Sequence, residues 1–267
     1  MHILEKIVQH KKKEVAIAKA KTAMSTLELS KHFQRNCNSY EAAITQKESS
    51  GVIAEFKRKS PSRSNINLDA DLQAVTKGYV QGGANAISIL TDQNFFGGSN
   101  DFLSATRINL PDTPLLRKEF IIDEYQIVEA KSIGADIILL ICEILTAQEV
   151  KRFSSLARSL GMEVLLEMHS ADQIKKYCDH VTMVGVNNRD LKTFEVDFDR
   201  SKKLFDQLPS DVPKVAESGL SEASTCAMLY EYGFRGFLIG EQFMKQEEPG
   251  VACGDFINHF MSQRSLT

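Results

Sequence analysis

Residues 136–167 read DIILLICEILTAQEVKRFSSLARSLGMEVLLE. Apolar side chains fill Asp136–Ile141 and again Glu163–Glu167. Short apolar runs without polar alternation are typical of strands buried on both faces, as in parallel sheets. Between the two runs, Thr146 and Glu149 have the spacing of a capping box. In that motif each side chain satisfies a free N–H at a helix start. Gly161-Met162 marks the return to the second strand. Helices often end in a left-handed residue, and glycine adopts that conformation without a Cβ clash. The stretch is one strand–helix–strand unit.

The same grammar extends in both directions. Strands are expected at Val52–Lys57, Ala86–Leu90 and Pro114–Lys118 upstream, and at Met183–Asn187, Lys214–Glu217 and Gly236–Ile239 downstream. Gly83-Ala84, Gly134-Ala135 and Gly233-Phe234 repeat the return signal. Ser170 and Gln173 read as a second capping box, and Asp69, Asp123 and Ser221 as helix N-caps. Eight strand–helix units are the count of a (β/α)₈ barrel, which typically takes ~250 residues. The rival, an open doubly wound sheet, usually carries G-x-G-x-x-G after its first strand. Here that position reads Lys59-Ser60-Pro61-Ser62. The expected fold is therefore an α/β (β/α)₈ TIM barrel over residues 51–267, with a helical extension over residues 1–50 packed on it. In the extension Ile3, Leu4, Ile7, Val8 and Val15 fall near helical spacing, and Lys11-Lys12-Lys13 reads as a solvated face. Ser25 and Glu28 suggest a second short helix, and Tyr40–Lys47 a third.

Composition narrows the function. Lysine and arginine number 32 against 35 acidic residues, a net charge of −3 that argues against a broadly basic nucleic-acid binder. No apolar run is long enough to span a membrane, and the N-terminus MHILEKIVQHKKKEV lacks the apolar core of a secretory signal. The five cysteines (Cys37, Cys142, Cys178, Cys226, Cys253) are widely spaced, and none forms a C-x-x-C pair. That disfavours a zinc ribbon or a disulfide framework and points to a reducing, cytoplasmic setting.

Barrel enzymes carry their chemistry at the C-terminal strand ends. Those ends hold Glu55 and Lys57, Lys118, Glu167, Asn187 and Glu217. Side chains alternate along a strand, so Glu55 and Lys57 share a face. If all six point inward they make a ring of alternating charge. Burying such a ring is costly unless its members pair. Lysines and glutamates whose pKa values are pushed apart can serve as acid and base. Lysine also permits a Schiff base. Ser218-Gly219 and Gly240-Glu241, after the seventh and eighth strands, are the places where barrels often bind phosphate. His169, in Glu167-Met168-His169, reads as a loop residue rather than a metal ligand.

The sequence resembles the indole-3-glycerol-phosphate synthase family in its single-function form, from about Ile3 to Met244. The motifs that carry the resemblance are residues 53–62 (IAEFKRKSPS), 89–92 (ILTD) with 95–99 (FFGGS), 116–123 (LRKEFIID), 185–191 (GVNNRDL), 216–220 (AESGL) and 238–241 (LIGE). The resemblance implies ring closure, decarboxylation and dehydration of 1-(2-carboxyphenylamino)-1-deoxyribulose 5-phosphate, in tryptophan biosynthesis. It implies that Lys118 is the general acid, that Lys57 engages the substrate carboxylate, and that Glu55 and Glu167 share the proton transfers. Asn187 would hold a substrate hydroxyl, and Glu217 and Ser218 would line the pocket. Ser60, Phe95, Phe120 and Arg189 are further substrate-binding candidates, with Phe96 assigned to core packing. Phosphate would rest on Ser218, Gly219, Gly240 and Glu241. Some relatives carry serine at the last position, so only the backbone N–H of Glu241 is expected to contribute. The resemblance implies a small phosphorylated substrate, no cofactor, no metal and no nucleic-acid or membrane partner. We expect a monomer, or at most a weak dimer. A Schiff-base aldolase acting on a phosphorylated sugar is the alternative enzyme. A non-catalytic binder of the same metabolites would be expected to have lost a ring residue, and none is lost.

Overall fold

The computed structural model describes residues 3–61, 63–189 and 195–264. Ser62, Asp190 and Leu191 of the motifs above lie outside the described residues. The strands are β1 (Val52–Phe56), β2 (Ala86–Leu90), β3 (Leu115–Lys118), β4 (Ile137–Ile141), β5 (Glu163–Met168), β6 (Met183–Asn187), β7 (Lys214–Glu217) and β8 (Gly236–Ile239). They form a closed barrel in sequence order. Closure is made by β1 against β8, with Val52 beside Phe237 and Ala54 beside Ile239. Every neighbouring pair is parallel.

Period-two alternation sorts each strand. Ile53, Ala86, Leu116, Leu139, Leu165, Met183, Val215 and Leu238 turn inward and fill the barrel. Val52, Ala54, Ile138, Leu140, Val164, Leu166, Val184 and Ala216 turn outward under the helices. Full burial of each branched side chain is worth about 1.5–3 kcal/mol. This double burial explains why no strand shows polar alternation.

The N-terminal segment reaches both ends of the barrel. It forms α1 (Ile3–Lys21), α2 (Met24–Leu27) and α3 (Tyr40–Ile44). Ser39 caps α3 by accepting from the Ala42 N–H. Buried Tyr40 donates its hydroxyl to the Gly51 carbonyl at 2.7 Å. The Glu163 carboxylate, at the start of β5, accepts from the Ser39 hydroxyl and from the Tyr40 and Glu41 N–H groups. So α3 closes the N-terminal floor, while Ile3, Leu4 and Ile7 of α1 reach the opposite mouth.

Several local expectations change. Thr146 and Glu149 do form a capping box, and Asp123 caps its helix. The helix Leu72–Gln81 is capped by Asp71 rather than Asp69. The helix Ala223–Tyr232 starts after Glu222 with no side-chain cap, so Ser221 does not serve. Likewise α2 has Ala23 at its N-cap and no box from Ser25. Ser170 donates instead to Asp172, and the Gln173 side chain accepts from the His169 N–H at 2.8 Å. The segment Ala171–Lys176 is accordingly a 3₁₀ turn. Lys12 and Lys13 are exposed, but Lys11 is not part of a solvated face. It lies on the buried stripe Ile7–Lys11–Val15, and its Nζ sits 3.0 Å from both Asp92 and Glu119. Glu14 is its third partner.

Candidate active site

The C-terminal strand ends open into a cavity of about 530 Å³, a size typical of small-molecule sites. Glu55, Lys57, Lys118, Glu167, Asn187 and Glu217 all line it. Each occupies the inward parity of its strand. The charges are paired as burial demands. Lys57 Nζ lies 2.9 Å from Glu55 Oε1. Lys118 Nζ lies 2.7 Å from Glu217 Oε2 and 3.5 Å from Glu167 Oε2. Asn187 donates its amide to Glu167 Oε1 at 2.9 Å and accepts from the Arg189 N–H at 3.0 Å. Ser88, one strand over, donates to Glu55 Oε2 at 3.3 Å.

Two glycines make room for this. A Cβ at Gly185 would land on the Glu217 carboxylate. At Gly240 it would meet Glu55 Oε1 at 2.9 Å. The glycine of residues 185–191 is thus a packing requirement of the acid on the next strand.

The environment drives the carboxyl groups apart. Burial pushes Glu217 upward, and the nearby Glu167 and Glu55 charges add to this; Lys118 offsets only part of it. Glu167 is also raised by burial, but Lys118, His169 and Asn187 carry it well below the usual carboxylate range. Glu55 is lowered, because Lys57 and Lys118 outweigh its burial. Burial alone would lower Lys118, the direction open to an isolated buried lysine. Here Glu217, Glu167 and Glu55 reverse it and hold the ammonium well above its ordinary value.

The far wall carries Ser218, Gly219, Gly240 and Glu241, all four on the same cavity. Ser218 has φ 69°, the one non-glycine residue in the left-handed region among the described residues. Such a conformation costs of order 1–3 kcal/mol and persists where the surroundings enforce it. Here Asn188 holds the Ser218 carbonyl at 2.8 Å. The Glu241 carboxylate is turned to Arg63 at 2.9 Å, so its charge is paired. Ser60 and Arg189 also line the cavity.

The aromatic assignments exchange places. Phe96 and Phe120 line the cavity, their rings 5.8 Å apart, whereas Phe95 does not line it and stands edge-on to His10 at 5.6 Å. Phe95 and Phe96 both lie on the short helix Gln93–Phe96, capped by Asp92. Successive helical residues point about 100° apart, so only one of the pair can face the site.

Three contributors escaped the sequence reading. Glu119 follows Lys118 into the lining, and the α1 residues close the mouth. His169 stands with Nε2 3.2 Å from Glu167 Oε1. Its signal was available: two residues beyond Glu167, it has the same strand parity. Among the described residues no group of three His, Cys, Asp or Glu side chains could hold a metal ion, and no helix is long and apolar enough to cross a membrane.

Comparison with known proteins adds an independent line. Residues 4–255 match the family model of indole-3-glycerol phosphate synthase. The enzyme of that name from Bacteroides thetaiotaomicron is 42% identical over 255 residues, covering 96% of this chain and 97% of its own. That from Salinibacter ruber is 39% identical over 253 residues, 94% of each chain. Among solved structures, 3-hexulose-6-phosphate synthase from Salmonella typhimurium superposes with a TM-score of 0.65 at 11% identity, over 80% of this chain and 100% of its own. The tryptophan synthase alpha subunit from Legionella pneumophila gives 0.61 at 13% identity, over 84% and 96%. At such identities the last two speak to the fold alone.

Proposed function

We infer the role of each site residue from one premise: this chain belongs to the indole-3-glycerol phosphate synthase family. It is a carboxy-lyase of tryptophan biosynthesis, and its substrate is a phosphorylated small molecule. The substrate of the proposal is 1-(2-carboxyphenylamino)-1-deoxyribulose 5-phosphate. Its phosphate rests on Ser218, Gly219, Gly240 and the Glu241 N–H, at the start of the helix Glu241–Met244. Phe96, Phe120 and the apolar face of α1 cover the aromatic ring. Lys57 binds the carboxylate that leaves as carbon dioxide.

Ring closure puts negative charge on the ketose carbonyl oxygen. Lys118 donates its proton there as the aromatic carbon attacks. An ammonium fixed in place stabilises that charge more in the transition state than in the ground state. After decarboxylation a hydroxyl must leave as water and a ring proton must be lost. Glu167 and Glu55 handle these transfers, with Asn187 orienting Glu167. Glu217 holds Lys118 in line.

The observation that carries this reading is the position of Lys118 Nζ between Glu217 and Glu167. The same observation disfavours the aldolase, because a Schiff base needs a neutral amine and the carboxylates keep this one charged. The five cysteines are free thiols, which supports a reducing, cytoplasmic setting. The test is Lys118→Ala, followed by indole fluorescence in a protein that has no tryptophan. Turnover should fall roughly 10²–10⁴-fold, the worth of a positioned general acid, with substrate still bound. Retention of more than about a tenth of kcat would refute the role.

A further inference from the structure

The two oxygens of Glu167 are not equivalent. Oε1 accepts a hydrogen bond from Asn187 Nδ2 at 2.9 Å and lies in ion-pair contact, 3.2 Å, with His169 Nε2. Among the described residues Oε2 is paired with Lys118, at the looser 3.5 Å, and Lys118 is drawn closer to Glu217 at 2.7 Å. His169 follows β5 on the parity of Glu167, and its side chain is only 10% exposed. It does not line the cavity. Its backbone is fixed from behind, since its N–H donates to Gln173, whose amide donates to Glu143 at 2.7 Å.

We propose that His169 is a positioning residue for Glu167: with Asn187 it pins Oε1, and so leaves Oε2 as the oxygen that exchanges protons with the substrate. This rests on the reading of Glu167 as a proton-transfer group. His169 never meets the substrate; it acts through the carboxylate it touches. The charged groups that face it are Glu167 on β5, Glu217 on β7 and Glu143 after β4, with Lys118 beyond Glu167 on β3. Burial works against an imidazolium here, but those three carboxylates, Glu167 foremost, raise the ring above its ordinary value. A cation beside Glu167 favours its ionised form. A pinned, ionised carboxylate spends none of its reaction barrier on reorienting.

The experiment compares His169→Phe, His169→Gln, Glu167→Gln and the double variant His169→Phe/Glu167→Gln by kcat, KM, melting temperature and the pH profile of kcat. Without the ring nitrogen beside Oε1, His169→Phe should lose about tenfold in kcat with KM changed less than about twofold. Its acidic limb should move to higher pH, because Glu167 loses a neighbouring cation. Glutamine offers Oε1 a polar N–H contact without the charge, so it should recover most of kcat and keep the displaced limb. In the double variant the phenylalanine should add less than about twofold to the loss from Glu167→Gln alone. If His169→Phe folds poorly, the limb of His169→Gln decides. An unmoved limb in His169→Gln, or a full additional loss in the double variant, overturns the proposal while leaving Glu167 in its role. Unchanged turnover in Glu167→Gln instead overturns the premise about Glu167.

Discussion

Replacing Lys11 by methionine should cost stability and substrate affinity together. The side chain is buried, and its Nζ lies 3.0 Å from both Asp92 and Glu119. Methionine keeps most of the volume and removes the charge, which leaves two buried carboxylates short of a partner. Breaking a buried ion pair from one side costs about 3–5 kcal/mol. The structure argues for the lower end. Asp92 still accepts from the Phe95 and Phe96 N–H groups, and Glu119 from Thr91 and the Phe120 N–H. About 3 kcal/mol in a chain of this size lowers the melting temperature by roughly 6–12 °C. The sign of the pH dependence follows from Glu119, which burial raises but Lys11 and Arg117 bring below its ordinary value. A depressed carboxyl contributes stability that is present above its unfolded pKa and lost as pH falls through its folded one. The gap between wild type and variant should therefore be full at neutral pH and shrink below about pH 4, as Glu119 protonates. Because α1 supplies Ile3, Leu4 and Ile7 to the cavity, KM should rise severalfold with kcat less affected. Thermal melts from pH 3 to 8 and steady-state kinetics by indole fluorescence measure all three. A melting point within about 2 °C of wild type at pH 7 would refute the reasoning, and so would a gap that does not change with pH.

Two further outcomes are expected. Gly185→Ala forces its methyl into the Glu217 carboxylate and so displaces Lys118; kcat should fall by at least about tenfold, while far-UV circular dichroism stays native, and wild-type turnover in this variant would count against Glu217 as the anchor. Inorganic sulfate should compete with substrate, since the loops at Ser218-Gly219 and Gly240-Glu241 form one wall of the cavity; purely non-competitive inhibition would place the anion elsewhere.

The sequence disclosed most of what depends on local chemistry. Strand positions were readable because the body of a strand buried on both faces must be apolar. Ala86–Leu90, Met183–Asn187, Lys214–Glu217 and Gly236–Ile239 fall where they were expected. The ring of six was readable because parity places polar strand ends inward. What stayed hidden depends on tertiary placement. Lys11 looked solvated because a lysine run usually is, and nothing local says that Asp92 and Glu119 converge on α1. Asp69 and Asp71 are equal candidates until the helix direction selects the second. Phe95 and Phe96 could be told apart only by how a one-turn helix sits on the barrel.

The site also shows why its surroundings are as they are. Six polar side chains inside a barrel conflict with a close-packed apolar core, so the two are separated by height. Leu116, Leu139 and Leu165 fill the layer below Lys118, Ile141 and Glu167 on the same inward faces. Below that layer α3 seals the floor through Tyr40 and Glu163. The ring thus faces the mouth of the barrel, which Ile3, Leu4 and Ile7 of α1 help to line. An apolar, low-dielectric floor strengthens the charge interactions above it. It also makes any unpaired charge there expensive, which is why each lysine of the ring is matched by a glutamate. Glu217 Oε1 is the exception: it is buried, and among the described residues it has no hydrogen-bond partner. Of the three ring carboxyls it is also the one left above its ordinary value, chiefly by burial. A bound substrate that offers a hydroxyl to this oxygen would satisfy it.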